Sequence, residues 1–273
     1  MTVLTMHPQV SAITIGIDPI AFTIGSIEAK WWSILFIIAV LVILLWLWRF
    51  GRGFGIKPEF AVGLLAVAVP VGLLVARLAH VIDFWDYYSS HPGEMIGLEG
   101  LAMFGGVLGA ALGVWIYCRF QGVPFAPLVD MAAPGIVLAQ AVGRVGCTLN
   151  GCCGGKPTSM PWGFIYTNPA SEASYPGVAV HPTQVYEILW CLIVFAFLFW
   201  VLRERLKPHG SLFIAYLALY STGALIIRFF RPDKPFLGPL PEGQLISVLV
   251  LAVTVPLLIL RTRWVKRAEE KAT

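Results

Sequence analysis

Residues Trp31 to Phe50 read WWSILFIIAVLVILLWLWRF, and Arg49 is the only charge among them. About 20 apolar residues in a row are what a helix needs to cross a ~30 Å hydrocarbon core. Further runs of the same kind follow. They cover about Phe60 to Phe84, Leu98 to Phe120, Ala126 to Val145, Val185 to Leu202, Ser211 to Phe230 and Leu245 to Leu260. The fourth is the weakest and contains Asp130, and the second contains Arg77. Composition agrees: of 273 residues, 58% are hydrophobic and 12% charged, with a mean hydropathy of +0.80. A soluble domain carries about twice that charge. Lipid tolerates only helices or closed barrels, and no alternating ten-residue strand pattern is present. The expectation is an all-α membrane protein of about seven transmembrane helices. Residues 1–273 form one integral membrane domain, with no soluble domain and no convincing signal peptide in residues 1–29.

Loop charges orient the chain. Twelve Lys and Arg follow helices one, three, five and seven, against six on the opposite side; Arg77 lies within a helix. The richer side is read as cytoplasmic, which puts the N-terminus outside and the C-terminus in the cytoplasm. The net charge of +4 reflects this topology and does not point to nucleic acid. The stretch from Gly143 to Pro182 is the one long polar segment between helices, and loops of that length are usually functional. It falls on the outer face, where Asp83, Asp86 and Glu94 read as solvated charges.

Three groups of residues carry candidate chemistry. Gly97, Gly100, Gly105, Gly106, Gly109 and Gly113 contain two GxxxG spacings. Two readings fit them: close helix packing, or access of a lipid headgroup to the backbone at Gly105-Gly106. The run from Gly143 to Gly155 sets Arg144 at the outer end of helix four, ahead of a turn-rich loop. An arginine there faces an anionic ligand or pairs with another helix. Asp130 is nearly four turns away and cannot be its partner. Arg228 and Arg231, three apart, would share a helix face, where two guanidiniums suit a phosphate or snorkel to headgroups. His181 and Glu187 bracket the start of helix five, where Pro182 is tolerated. Cys118 and Cys191 read as inert helix residues. Cys147, Cys152 and Cys153 share the outer loop but lack the paired CxxC spacing of a zinc set. An outer location also permits a disulfide.

These pieces, in this order, resemble the prolipoprotein diacylglyceryl transferase family over most of the chain. The resemblance rests on Ile24-Gly25-Ser26-Ile27, Ala76-Arg77-Leu78, Phe104-Gly105-Gly106-Val107-Leu108-Gly109, Gly143-Arg144-Val145-Gly146 through Asn150-Gly151 to Gly155, His181-Pro182-Thr183-Gln184-Val185-Tyr186-Glu187, and Phe229-Phe230-Arg231-Pro232-Asp233. It implies an enzyme of lipoprotein biosynthesis in the bacterial inner membrane, with its active face outward. Such an enzyme moves a diacylglyceryl group from phosphatidylglycerol to the lipobox cysteine of a prolipoprotein signal peptide and releases glycerol phosphate. No cofactor or metal is required. It implies catalytic roles for Arg144, His181 and Arg231, and phospholipid contacts for Arg144, Asn150, Gly105, Gly106, Gly155, Arg228 and Glu187. This chain departs from the family pattern at Phe104, where His or Tyr is common, and at Ala224 and Arg228, where an Arg and an acid are usual. With Phe104 in place, His181 is the outer-side histidine beside these motifs that can take a proton. Two other readings use the same residues: a divergent paralogue with another lipid or acceptor, and a non-catalytic phospholipid-binding or transport protein.

Overall fold

The computed structural model describes residues 12–25, 27–52, 57–97 and 102–265. Ser26, Gly100 and the tail cations Lys266, Arg267 and Lys271 lie outside the described residues, as does the side chain of Phe104. In chain order the elements begin with β1 (Ile13–Ile15), β2 (Ile20–Ile24), β3 (Ile27–Lys30), α1 (Trp31–Gly51), α2 (Pro58–Asp83), α3 (Trp85–Tyr88), α4 (Met103–Gln121) and α5 (Phe125–Asn150). There follow β4 (Phe164–Tyr166), α6 (Thr183–Ala196), β5 (Leu206–Lys207), α7 (Ser211–Arg228), β6 (Pro235–Leu237), β7 (Leu240–Pro241), α8 (Glu242–Arg261) and β8 (Arg263–Trp264). A π-helical stretch, Phe197–Leu202, prolongs α6.

Six helices among the described residues are long and apolar enough to cross a membrane: α1, α2, α5, α6 with its π turn, α7 and α8. Their outward faces carry large apolar side chains such as Phe36, Leu45, Leu74, Ile193 and Ile259, all well exposed. That surface suits lipid and not water. The chain is a helical, multi-pass membrane protein. Each of the seven apolar runs coincides with a helix of shifted ends, and six of those helices have the length and apolarity of a span. The fourth apolar run ends at Val145 by composition, yet α5 continues to Asn150. Arg144 therefore lies inside the last turns of a helix and not at its junction with the loop. Among the described residues there are also four two-stranded pairings that hydropathy does not reveal: β1 parallel to β4, and the antiparallel pairs β2–β3, β5–β8 and β6–β7.

Two compact units emerge. One comprises residues 44–131, where α2 and α4 pack along the glycine stripe. A Cβ added to Gly105, Gly109 or Gly113 would fall within 2.9 Å of the α2 backbone or its Cβ atoms. Only glycine permits that approach, so close packing is the role observed for these three. Gly106 is roomier, with 3.6 Å to the nearest atom. In the same unit Arg77 donates to the carbonyls of Met95 and Glu94, and lies over the Tyr88 ring. The other unit comprises residues 1–43 and 132–273. Its core joins α5, α6 and α7 through Ala133, Val137, Cys191, Val194, Leu198 and Leu212. Gly223 admits the Trp190 ring, whose Nε1 donates to the carbonyl of Leu219. The candidate site belongs to this unit.

Candidate active site

The site begins where α5 stops. Asn150 is its last residue and Gly151, at φ 82°, turns the chain away. Asn150 is 1% exposed and donates through Nδ2 to Glu172 at 2.8 Å. Glu172 also accepts from Lys30 at 2.9 Å. The hydrogen bond from Lys30, more than any other cause, holds the Glu172 carboxyl below its ordinary range. About one turn of α5 earlier, Gly146 brings Trp32 and Leu35 of α1 against the helix, because a Cβ there would lie 3.1 Å from both residues. The Thr148 hydroxyl donates to the Arg144 carbonyl, and the Tyr166 hydroxyl donates to the Thr148 carbonyl. Burial raises the Tyr166 phenol above its ordinary value and keeps it a donor.

The loop returns to the start of α6 through a backbone crossing at Gly155. The Gly155 N–H donates to the His181 carbonyl, the Lys156 N–H to Phe230, and the His181 N–H to Lys156, at 2.9, 2.7 and 3.0 Å. The Lys156 ammonium donates to the Phe229 carbonyl. A Cβ on Gly155 would meet the His181 Cβ at 2.6 Å and the His181 and Phe230 carbonyl oxygens at 2.8 Å. Gly155 is thus the point at which the loop, the α6 entry and the segment after α7 meet. Thr183 and Gln184 seal the crossing by donating to the carbonyls of Cys153 and Cys152, both at 2.7 Å.

One turn into α6, Glu187 divides its carboxylate between two arginines from separate elements. One oxygen lies 2.5 Å from Arg144 Nε and the other 3.5 Å from Arg231. Arg231 Nε is 3.7 Å from Asp233, which is an ion-pair distance but not a hydrogen bond. That N–H is buried and has no hydrogen-bond partner. Asp233 holds Arg228 at 2.8 Å, and Arg228 lies so close over Gly243 that a Cβ there would meet its Cζ at 2.0 Å. Three guanidiniums face two carboxylates in this cluster, leaving one unit of positive charge. The side chains of Arg231 and Glu187 are only 10% and 9% exposed. A surplus cation with an unused donor in so dry a place creates a demand for an anion.

His181 lies beside this cluster on the chain and in space, with its ring 5.1 Å from that of Phe230. Its Nδ1 is 3.2 Å from the Tyr186 hydroxyl, and that hydroxyl accepts from Trp162 Nε1 at 2.9 Å. Burial lowers the pKa of His181, so the ring stays neutral to lower pH than an exposed histidine. The three loop thiols also converge. The Sγ atoms of Cys147, Cys152 and Cys153 all lie within 4.8 Å of one another. Hydrogen bonds from Cys147 and Cys152, with Arg231 and Arg144 assisting, push the Cys153 thiol well below its ordinary value.

The structure corrects one expectation and bears on a second. Arg228 and Arg231 do not share a helix face, because α7 ends at Arg228 and Arg231 stands in the following turn; they share Asp233 instead. Arg144 does pair with another helix, through Glu187, though Glu187 is itself shared. The sequence motifs contain Tyr186 and Asp233 but assign them no role, and the hub itself, Lys156, Glu172 and Trp162 were missed. An acid one turn inside an apolar helix is the one signal that marked Glu187 for pairing. Of the residues expected at the site, Arg144, Asn150, Gly155, His181, Glu187, Arg228 and Arg231 fall in this unit; Gly105 and Gly106 belong to the other.

The family model of prolipoprotein diacylglyceryl transferase matches residues 19–260. The chain belongs to this family. Among curated relatives, a phosphatidylglycerol--prolipoprotein diacylglyceryl transferase of Dehalococcoides mccartyi is 42% identical over 257 residues, covering 94% of this chain and 98% of the relative. Proteins of the same name from Clostridioides difficile and Bacillus cereus are 33% and 32% identical. They cover 85% and 90% of this chain, and 90% and 93% of their own lengths. As a member of the prolipoprotein diacylglyceryl transferase family the chain is a transferase, and the cationic cluster around Glu187 lies within the matched span.

Proposed function

We propose that this chain transfers a diacylglyceryl group from phosphatidylglycerol to the lipobox cysteine thiol of a prolipoprotein, releasing glycerol phosphate. The observation that carries the reading is the cluster's surplus positive charge, with the buried Arg231 Nε lacking a hydrogen-bond partner. The relatives' shared name supplies the donor and the class of acceptor. In this reaction the thiol sulfur attacks the glyceryl carbon whose oxygen carries the phosphate. An S–C bond forms as the C–O bond breaks, and the electron pair leaves with the phosphate. Negative charge grows on that phosphate, and preorganised guanidiniums in a water-poor site lower the barrier as it grows. Arg231 and Arg144 are placed for this, with Glu187 and Asp233 fixing their forks. The thiol proton goes to His181: with Nδ1–H donated to the Tyr186 hydroxyl, Nε2 is left to accept it. Donor and acceptor balance the reaction without a cofactor.

Arg228 is placed to set Asp233 against Arg231. Asn150 and Gly155 act by holding the loop, and Gly106 is the glycine of its pair with room beside a lipid. Counting α4, which has 19 residues, the chain crosses the bacterial inner membrane seven times. Its N-terminus and the 143–182 loop face outward and its C-terminus faces the cytoplasm, so a translocated signal peptide meets the site from outside. The test is incubation of purified protein with phosphatidylglycerol and a lipobox peptide, read by mass spectrometry. The peptide should gain one diacylglyceryl mass at cysteine and nothing when that cysteine is serine. An unmodified peptide with lipid still bound would establish the binding-protein reading instead.

A further inference from the structure

The three-thiol cluster has no part in the transfer reaction. Cys147 lies in the last turn of α5, and Cys152 and Cys153 follow the turn at Gly151. Adjacent side chains on an extended backbone point to opposite faces. Here the neighbours Cys152 and Cys153 converge on Cys147 because Cys153 takes a left-handed conformation at φ 61°, the one non-glycine residue among the described residues to do so. Backbone of that kind is held only where its surroundings determine it. Thr183 and Gln184 supply that hold, through the carbonyls of Cys153 and Cys152. The result is three sulfurs, each pair within 4.8 Å, and none in a disulfide.

We propose that Cys147, Cys152 and Cys153 form a three-thiolate site for a thiophilic d10 cation of the zinc class. A tetrahedral zinc–thiolate unit with bonds of ~2.3 Å places its sulfurs about 3.8 Å apart. Rotamer adjustment of one or two thiols closes the difference from 4.8 Å. A disulfide uses two sulfurs and gives no reason for a third to converge, whereas a metal triad uses all three. Binding is M²⁺ plus three thiols giving a tris-thiolate complex of charge −1 and three released protons. Arg144 and Arg231 act electrostatically on Cys153 and favour its thiolate form. All three cysteines are half-buried residues rather than fully enclosed ones. Three protein ligands leave the fourth position to water or another donor. The bound ion staples the end of α5 to the loop that leads into Gly155.

The full chain, purified in detergent under anaerobic reducing conditions, is titrated with Cd²⁺ and separately with Zn²⁺. One ion per chain should remain after gel filtration, with thiolate-to-cadmium charge-transfer absorbance for the Cd²⁺ form. Each of C147S, C152S and C153S should weaken binding at least about tenfold, while C118S and C191S leave it unchanged. Cd²⁺ should raise the melting temperature of the unsubstituted chain and of C118S, and protect Cys152 and Cys153 from alkylation. Serine is nearly isosteric, and the metal-free melting temperature of each variant shows whether it has folded; any one folded variant suffices. Metal uptake no greater than that of the triple serine variant would overturn the proposal. So would a disulfide between two of the three in protein isolated from membranes with its thiols blocked at lysis.

Discussion

Replacing Gly155 by alanine adds one methyl group at the crossing of three segments. That methyl would meet the His181 Cβ at 2.6 Å and two backbone carbonyls at 2.8 Å, none of them the free end of a flexible side chain. Ordinary contact begins near 3.4 Å, so the segments must part by about 0.6–0.8 Å. The Gly155–His181 hydrogen bond of 2.9 Å then stretches to about 3.6 Å, where it no longer counts as one. Overpacking of this kind costs ~1–3 kcal/mol. The functional effect should be larger, because the same movement separates His181 from the segment that carries Arg231. A misplacement near 1 Å at a reacting centre costs about a hundredfold in rate. The assay is transfer to a lipobox peptide together with thermal melting in detergent. Gly155→Ala should lower the rate ten- to a hundredfold with a modest fall in melting temperature. A variant with normal rate and normal melting would show that the crossing does not position the site.

Arg144→Lys keeps the charge and loses the planar fork. Transfer should fall roughly ten- to a hundredfold, matching a charge-assisted hydrogen bond of ~1.5–3 kcal/mol, while lipid binding and melting stay near normal; a normal rate removes Arg144 from the site. His181 has its pKa lowered by burial, so the folded chain resists the proton that the unfolded chain takes up below the ordinary value of 6.5. Its contribution to stability is complete above that value and is lost as pH falls through it toward the lowered pKa. The transfer rate should accordingly hold as pH falls through 6.5 and drop only below, and His181→Gln should be inactive at every pH; a pH profile unchanged in that variant places the base elsewhere. Glu172, held low chiefly by its hydrogen bond from Lys30, keeps Asn150 tied above the ordinary carboxylate range, and that tie is lost as pH falls below it. Amide exchange around Asn150–Glu172 should rise on acidification, and Lys30→Ala should raise it already at neutral pH; exchange insensitive to both would remove the tie.

Hydropathy revealed the helices because lipid imposes one strong rule, that roughly 20 apolar residues must stand together. Their ends were less legible, since Gly146 to Asn150 are too polar for a span and yet continue α5 behind the contact of Gly146 with α1. The short strand pairs carry no periodicity at two to five residues each. Arg144 stood out by the cost of a charge beside lipid, Arg231 by its spacing from Arg228, and His181 through the family resemblance. What the sequence reading lacked was who faces whom: Glu187 lies 43 positions from Arg144 and 44 from Arg231, and no local pattern links them. The three loop cysteines were seen as neighbours in sequence, but the convergence of their sulfurs was not. Their spacing matches no zinc pattern, and a single left-handed residue, Cys153, brings the sulfurs together.

The decisive measurement follows both halves of the donor. Phosphatidylglycerol carrying tritium in the diacylglyceryl moiety and phosphorus-32 in the headgroup is presented with lipobox peptide to the purified chain and to Arg231→Ala. With Arg231 and Arg144 binding the leaving phosphate, tritium appears on the peptide cysteine, phosphorus-32 appears in water-soluble glycerol phosphate in equal amount, and both fall ten- to a hundredfold together in the variant. A peptide carrying both labels, or an Arg231→Ala protein that releases phosphorus-32 at the full rate, would contradict it.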